Sequence, residues 1–229
     1  FALGGDGGLL RHGTADQRRR FLAPVLSGEL AAAFAFTDPP EGPRTTAVRR
    51  GDVFLLTGVK AFVTDGPHAD LLLTVARVTE NTGGLTGTGL FVVRREAPGV
   101  RLAREMRTLD GGLHGEFALE EAPVPQADVL GEIGQGLPRA LESITALRLR
   151  AAAHACGTGR WALDYTLRQT ARPHRSGTPL GEREQVQAMI ADSATDLFAA
   201  RSALYACARM AESGGDVEIE VAMAKTLAT

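Results

Sequence analysis

The feature that most constrains this chain is a change of period near residue 136. From Leu137 onward, Leu141, Ile144, Leu147, Ala151 and Ala155 fall on one face of a helix, and the pattern runs on through Ala162 to Leu167. Gly134 and Gly136 interrupt the chain just before it, and Pro138 suits its first turn. A helix of about 35 residues is roughly 50 Å long at 1.5 Å per residue, more than a lone domain core needs. Other long helices must therefore pack beside it. A second is expected from Glu184 to about Met210, carrying Val186, Ile190, Ala194, Leu197 and Leu204 until Gly214 and Gly215 stop it. A third starts near Asp216, aligns Val217, Val221, Ala224 and Leu227, and is still running at Thr229, which predicts a continuation.

Upstream of the change the pattern is that of strands. Leu30 to Thr37, Val53 to Thr57, Val59 to Thr64, Asp70 to Val78, Gly89 to Arg95 and Glu116 to Glu120 are separated by Gly, Pro, Asp and Asn clusters. Closely spaced runs with no long helix between them argue for an antiparallel sandwich or barrel. Asn81 to Gly89 is expected to be a Gly/Thr-rich hairpin loop. Before Leu30, Thr14 can cap a helical turn in which Phe21, Leu22, Val25 and Leu26 recur until Gly28. The expected architecture is α+β and multi-domain: the end of an N-terminal helical domain at 1–29, a central antiparallel β-domain at 30–133, and the first helices of a C-terminal α-helical bundle at 134–229. The boundary falls at Leu130 to Gly136, and parts are expected to be missing at both ends.

Charge and apolar content exclude several classes. Across 229 residues, 25 Lys plus Arg face 27 Asp plus Glu, a net charge of −2 that disfavours nucleic acid and anionic membranes as partners. The longest apolar stretches, such as Leu30 to Phe36, fall far short of the roughly 18 residues of a membrane span, and no targeting pattern opens the chain, so a cytoplasmic location is expected. Cys156 and Cys207 read as small buried helix residues. His12, His68, His114, His154 and His174 show no metal-ligand spacing. Asp128, Glu132 and Glu142 read as solvated charges, and neither Ser143 nor Ser176 has a nucleophile's context.

Two short segments could carry chemistry. Phe34, Ala35, Phe36, Thr37, Asp38 and Pro39, followed by Pro40, Glu41, Gly42 and Pro43, end a strand in a hydroxyl and a Pro/Gly loop. Read alone, this is a strand end explained by its turn residues. Gly58, Val59, Lys60, Ala61, Phe62, Val63, Thr64, Asp65 and Gly66 form the second, and alternation places Lys60, Phe62 and Thr64 on one face. An aromatic plate beside a hydroxyl suits a conjugated ring, although ordinary sheet packing gives the same pattern.

Taken in order, the motifs resemble the acyl-CoA dehydrogenase family. Phe36, Thr37, Asp38, Pro39 resemble its hydrophobic, Thr, Glu, Pro signature. Gly58, Lys60, Phe62, Thr64, Asp65, Gly66 resemble its Gly-x-Lys-x-Trp/Phe-Ile-Thr-Asn-Gly signature. Thr14, Gln17, Phe21 and Leu22, with Gly28 and Glu29, look like its approach to the β-domain. Pro98, Gly99, Val124, Pro125, Val129 to Glu132, Gly134, Gly136, Arg148, Gly157, Ala191, Asp192, Ala224 and Lys225 then follow the family's order, so the resemblance covers essentially the whole chain.

The resemblance implies an FAD-dependent α,β-desaturation of an acyl thioester of coenzyme A or a carrier protein, in a dimer or tetramer whose electrons pass to another flavoprotein or other acceptor. It gives Thr37 and Thr64 hydrogen bonds to the flavin ring and lays Phe62 against its face, with Phe34, Phe36 and Val63 beside them. Thr145 and Arg148 fall among the substrate-contacting positions. The sequence also departs from the family. Pro43 stands where a serine reaches the FAD pyrophosphate, and Pro173, Ser176 and Glu184 replace the Arg, Phe and Gln that grip a neighbouring subunit's FAD. Arg172, Arg175 and Gln185, one or two residues away, are candidates to take over. Thr108, Leu109, Asp110, Gly111 and Gly112 replace a Gly-x-Arg-x-Ser element. One branch places its catalytic glutamate where this chain has Leu147; the commoner position is expected beyond Thr229. Besides the dehydrogenase, the departures leave open a non-catalytic partner subunit of a mixed oligomer, or a flavin monooxygenase or non-redox biosynthetic enzyme on the same fold.

Overall fold

Leu71 to Ala76 are buried without a break, the pattern of a strand covered on both faces rather than one. Strand alternation sends Leu72, Ala76 and Val78 into a core with Phe54, Phe91 and Phe117. Leu71, Leu73 and Val75 enter a second core, against Leu9, Leu10 and Phe21. Each such large apolar side chain contributes roughly 1.5–3 kcal/mol when fully buried. In this computed structural model, which describes residues 4–41, 43–79 and 84–229, the chain forms two compact units, Phe1–Ser143 and Ile144–Thr229.

The first unit is built on a 7-stranded sheet. Its strands are β1 (Ala32–Ala35), β2 (Thr46–Arg50), β3 (Val53–Thr64), β4 (Leu71–Thr79), β5 (Leu85–Arg94), β6 (Val100–Arg107) and β7 (Leu113–Pro125). β5 pairs with one side of β4; on the other side lie β1 and β2, then β3, β7 and β6. β1 and β2 share a single lane, both parallel to β4: Ala32–Ala35 against Leu71–Thr74, then Thr46–Val48 against Arg77–Thr79. Between them the chain leaves the sheet, and its excursion, residues 36–45, carries the first motif. The sheet is therefore mixed, whereas the sequence predicts antiparallel pairing. The expected strands at Val53–Thr57 and Val59–Thr64 are one strand, bulged after Leu56 and after Lys60. Asn81 to Gly83, part of the expected hairpin loop, and Gly42 lie outside the described residues; from Leu85 that loop is strand.

Helical segments cover the second core. α1 (Ala15–Gln17) continues through a wider turn, Arg18–Leu22, into α2 (Ala23–Ser27). Thr14 caps α1 as expected, in a capping box with Gln17. The Gln17 amide donates to Ala127 O at 2.8 Å and Val129 O at 2.7 Å. Arg20 Nη1 meets Asp128 Oδ1 at 2.6 Å. Asp128, expected to be solvated, is thus buried: a charge leaves water when an arginine from elsewhere in the chain supplies its partner.

α3 (Gly136–Thr170) is a single helix of 35 residues, matching the sequence. Beyond Ile144 it belongs to the second unit, with α4 (Glu184–Glu212) and α5 (Glu218–Ala228). Ala152 and Cys156 of α3 pack with Ala200 and Leu204 of α4, and Cys207 packs with Val217, Val221 and Ala224. The buried stripe of α3 therefore runs through Leu149, Ala152 and Cys156 rather than through Leu147, Ala151 and Ala155. Apolar residues stand on more than one side of this segment, with Leu147 and Leu149 two apart and Ala151, Ala152 and Ala153 adjacent, so its period specifies a helix without choosing the face. Both cysteines are free and buried as expected. Among the described residues no helix is long and apolar enough to cross a membrane, and no group of three His, Cys, Asp or Glu could hold a metal.

Candidate functional site

The two motifs meet where the β1–β2 excursion crosses β3. Ala61 N–H donates to Thr37 O at 2.8 Å, so β1 is tied to β3 just past its own end. Lys60 carries the other tie. Its Nζ donates to Asp38 Oδ1 at 2.8 Å and to Phe36 O at 3.0 Å, while Thr45 Oγ1 donates to the same carboxylate oxygen at 2.7 Å. One buried ammonium and one carboxylate thus hold both ends of the excursion.

The partners respond unequally. Burial acts to raise the Asp38 carboxyl, but the hydrogen bonds from Lys60 and Thr45 outweigh it and hold the carboxyl below its ordinary value. Burial pushes the more enclosed Lys60 ammonium down, and Asp38 offsets only part of that. Gly58 makes the close approach possible. With φ near +150°, a Cβ there would lie 2.7 Å from Thr45 Cα.

The bulge after Lys60 decides what the second motif presents. Lys60 pairs with Phe117 and Val63 with Gly115, so Ala61 and Phe62 together stand opposite Glu116. Lys60 is consequently turned into the protein, against the shared face that simple alternation predicts, and Phe62 is turned out. Phe62 has φ 54° and is 59% exposed. A left-handed backbone costs a bulky residue about 1–2 kcal/mol, and a ring this exposed returns little of it as burial. Strained backbone of this kind clusters at ligand clamps and active sites, which makes Phe62 a candidate. Thr64, also exposed, lies across from His114 on β7, with Oγ1 and Nε2 3.2 Å apart. The other ring nitrogen, His114 Nδ1, is buried without a partner among the described residues.

Thr37 is exposed, and its hydroxyl has no partner among the described residues. It lines a cleft of about 320 Å³ with Phe36, Asp38, Lys60, Arg44 and Arg77. Three cations against one carboxylate leave this cleft positive. Phe34 and Phe36, ring centroids 5.5 Å apart, pack toward the second core. Val63 is buried in the first core and pairs with Gly115 of β7, so its side chain is not open to a ligand.

The remaining candidates belong to the helical unit. Thr145 and Arg148 are half-buried on α3; Arg175, in the turn after α3, and Gln185, in the first turn of α4, are exposed. Arg148 and Arg175 form no ion pair among the described residues. In the same turn Ser176 is held by His174 Nδ1 at 2.8 Å and Arg183 Nη2 at 3.0 Å. The sequence pointed to Thr64 but not to His114, whose relevance depends on strand register 50 residues away.

Residues 33–121 match the family model described as acyl-CoA dehydrogenase, middle domain, and residues 134–229 match that described as acyl-CoA dehydrogenase, C-terminal domain. An acyl-CoA dehydrogenase of Bacillus subtilis (strain 168) is 31% identical, over 98% of this chain and 61% of its own. The structure of butyryl-CoA dehydrogenase from Megasphaera elsdenii aligns with a TM-score of 0.87 at 25% identity, over 98% of this chain and 61% of that one. The prolyl acyl carrier protein oxidase AnaB aligns with a TM-score of 0.89 at 28% identity, over 99% of this chain and 61% of that one. The chain therefore spans 61% of the length of each of these relatives.

Proposed function

Because the chain belongs to the acyl-CoA dehydrogenase family, of which it covers the middle portion, we propose that its protein is an FAD-dependent oxidoreductase. Its substrate is an acyl thioester of coenzyme A or of a carrier protein, desaturated between the α and β carbons. The family is FAD-dependent, and the residues present fit the flavin ring. The observation that carries the reading is Phe62, exposed in a strained left-handed conformation between buried Ala61 and Val63, with Thr64 two residues on and, on the neighbouring excursion, the Thr37 hydroxyl, which has no partner among the described residues. An aromatic face and two hydroxyls suit a planar ring with a polar edge. Phe62 would pack on that ring, Thr37 and Thr64 would hydrogen-bond its edge, and the Asp38–Lys60 pair would keep Thr37 in place.

When bound, FAD supplies the acceptor for a hydride from the β-carbon; the protein orients it. Thr145 and Arg148 are assigned to the substrate, and Arg175 and Gln185 to the FAD of a neighbouring subunit. Leu147 has no group to take a proton, so the base that removes the α-proton is another residue. At the phosphates the fit is poorer. Pro43 offers neither hydroxyl nor N–H, and Glu184 adds a negative charge; Arg44 and Arg77 supply positive charge in the cleft beside Thr37.

Those substitutions favour a second reading, a non-catalytic subunit that completes or flanks the flavin site of another chain in a mixed oligomer. The visible spectrum of the purified full-length protein tests both. A bound flavin bleached by an acyl-CoA or acyl carrier protein supports the dehydrogenase, with an electron-accepting flavoprotein as the partner that restores the colour. Flavin acquired only on co-expression with a second chain supports the subunit, and a colourless protein in both conditions refutes both.

A further inference from the structure

We infer that His114 is a positioning residue that fixes the Thr64 hydroxyl as a hydrogen-bond donor toward the flavin ring. The inference rests on the flavin reading above and adds the polarity of one contact to it. Thr64 and His114 are direct cross-strand partners on β3 and β7, with Thr64 Oγ1 and His114 Nε2 3.2 Å apart. The ring can make that contact in two neutral forms. If Nδ1 carries the proton, Nε2 accepts from the hydroxyl, and Thr64 shows a ligand only lone pairs. If Nε2 carries it, Nε2 donates to Oγ1, and the hydroxyl proton is left to point outward.

The environment of Nδ1 decides between them. That atom is buried and has no partner among the described residues. Asp110, in the turn before β7, is engaged instead by the Thr108 hydroxyl and the Gly112 N–H. A proton on Nδ1 would therefore be an orphaned buried N–H, among the rarest of unsatisfied groups, whereas an under-used acceptor is better tolerated. The Nε2–H form remains, and it directs the Thr64 proton outward, where Phe62 and Thr64 are exposed.

A hydroxyl of fixed donor polarity selects an acceptor atom on the ligand. The polar edge of a flavin ring offers mainly acceptors, and a hydrogen bond donated to one of them strengthens as the ring gains electron density on reduction. His114 thus acts through Thr64 on both the affinity for FAD and its potential, without touching the cofactor.

The test uses the full-length protein, with FAD affinity measured by fluorescence titration and the potential of the bound flavin by dye-coupled titration. His114→Leu is expected to weaken FAD binding about fivefold, the worth of one ordinary hydrogen bond, and to lower the potential. His114→Asn, whose amide is too short to replace Nε2, is expected to do the same and serves if the leucine variant does not fold. His114→Gln, which carries an N–H to the position of Nε2, is expected to restore both values. In a Thr64→Val background, His114→Leu is expected to change neither. Unchanged affinity and potential in both the Leu and Asn variants overturn the inference, as does a full His114 effect in the Thr64→Val background. A wild-type protein that takes up no flavin overturns the flavin reading first, and this one with it.

Discussion

Asp38→Ala tests whether the Lys60–Asp38 pair organises the site. The Lys60 side chain is 2% exposed and that of Asp38 13%. Removing the carboxylate leaves a buried ammonium with only Phe36 O, and frees the Thr45 hydroxyl of its carboxylate partner as well. Breaking a buried pair costs 3–5 kcal/mol; the residual exposure of Asp38 places this one near the lower end, about 3 kcal/mol. At roughly 2–4 °C per kcal/mol for a domain of this size, the melting temperature falls by about 6–12 °C. Asp38→Leu combined with Lys60→Met removes both charges and is expected to recover most of that loss. The pH dependence has a definite sign. Because the folded carboxyl lies below its unfolded value of about 3.9, the stabilisation is complete above that pH and is lost as pH falls through the lower, folded value. Calorimetry and denaturant titration read both effects. A single variant melting within about 2 °C of wild type, or a double variant no more stable than Asp38→Ala, would refute the reasoning.

Gly58→Ala is expected to destabilise the protein by about 1–3 kcal/mol in urea titration, since its Cβ meets Thr45 backbone at 2.7 Å and its φ is positive. Phe62→Gly relieves a left-handed aromatic that buries little, so the apoprotein is expected to gain up to about 1 kcal/mol while FAD binding weakens. Arg20→Ala leaves Asp128 buried without its cation and is expected to cost about 2 kcal/mol, seen as faster proteolysis within α1 and α2.

What the sequence reveals depends on how local the signal is. α3 is legible because its period holds for 35 residues, and β4 because six consecutive positions are apolar or small enough to bury. β6 is missed: Val100–Arg107 carries Arg101, Arg104, Glu105 and Arg107, the charges of an edge strand with water on one side. The parallel pairing of β1 and β2 with β4 leaves no mark in any one segment. The face shown by Phe62 depends on a bulge whose existence is a property of two strands, and so does the meeting of Thr64 with His114. The local parts of the candidate site, Thr37, Phe62 and Thr64, were legible; the groups that orient them, Asp38 against Lys60 and His114 against Thr64, were not paired by any spacing.

The lane that β1 and β2 share along β4 has a consequence for how such a protein can change. The excursion between them is secured at each end by its own bonds, Ala61 to Thr37 and Thr45 to Asp38, so its middle is a cassette. Substitution or added length at Pro39 to Pro43 alters the surface beside the candidate site without disturbing strand order. A substitution at Pro43 is then a change the framework absorbs at little structural cost, leaving the loop sequence and the fold free to diverge independently.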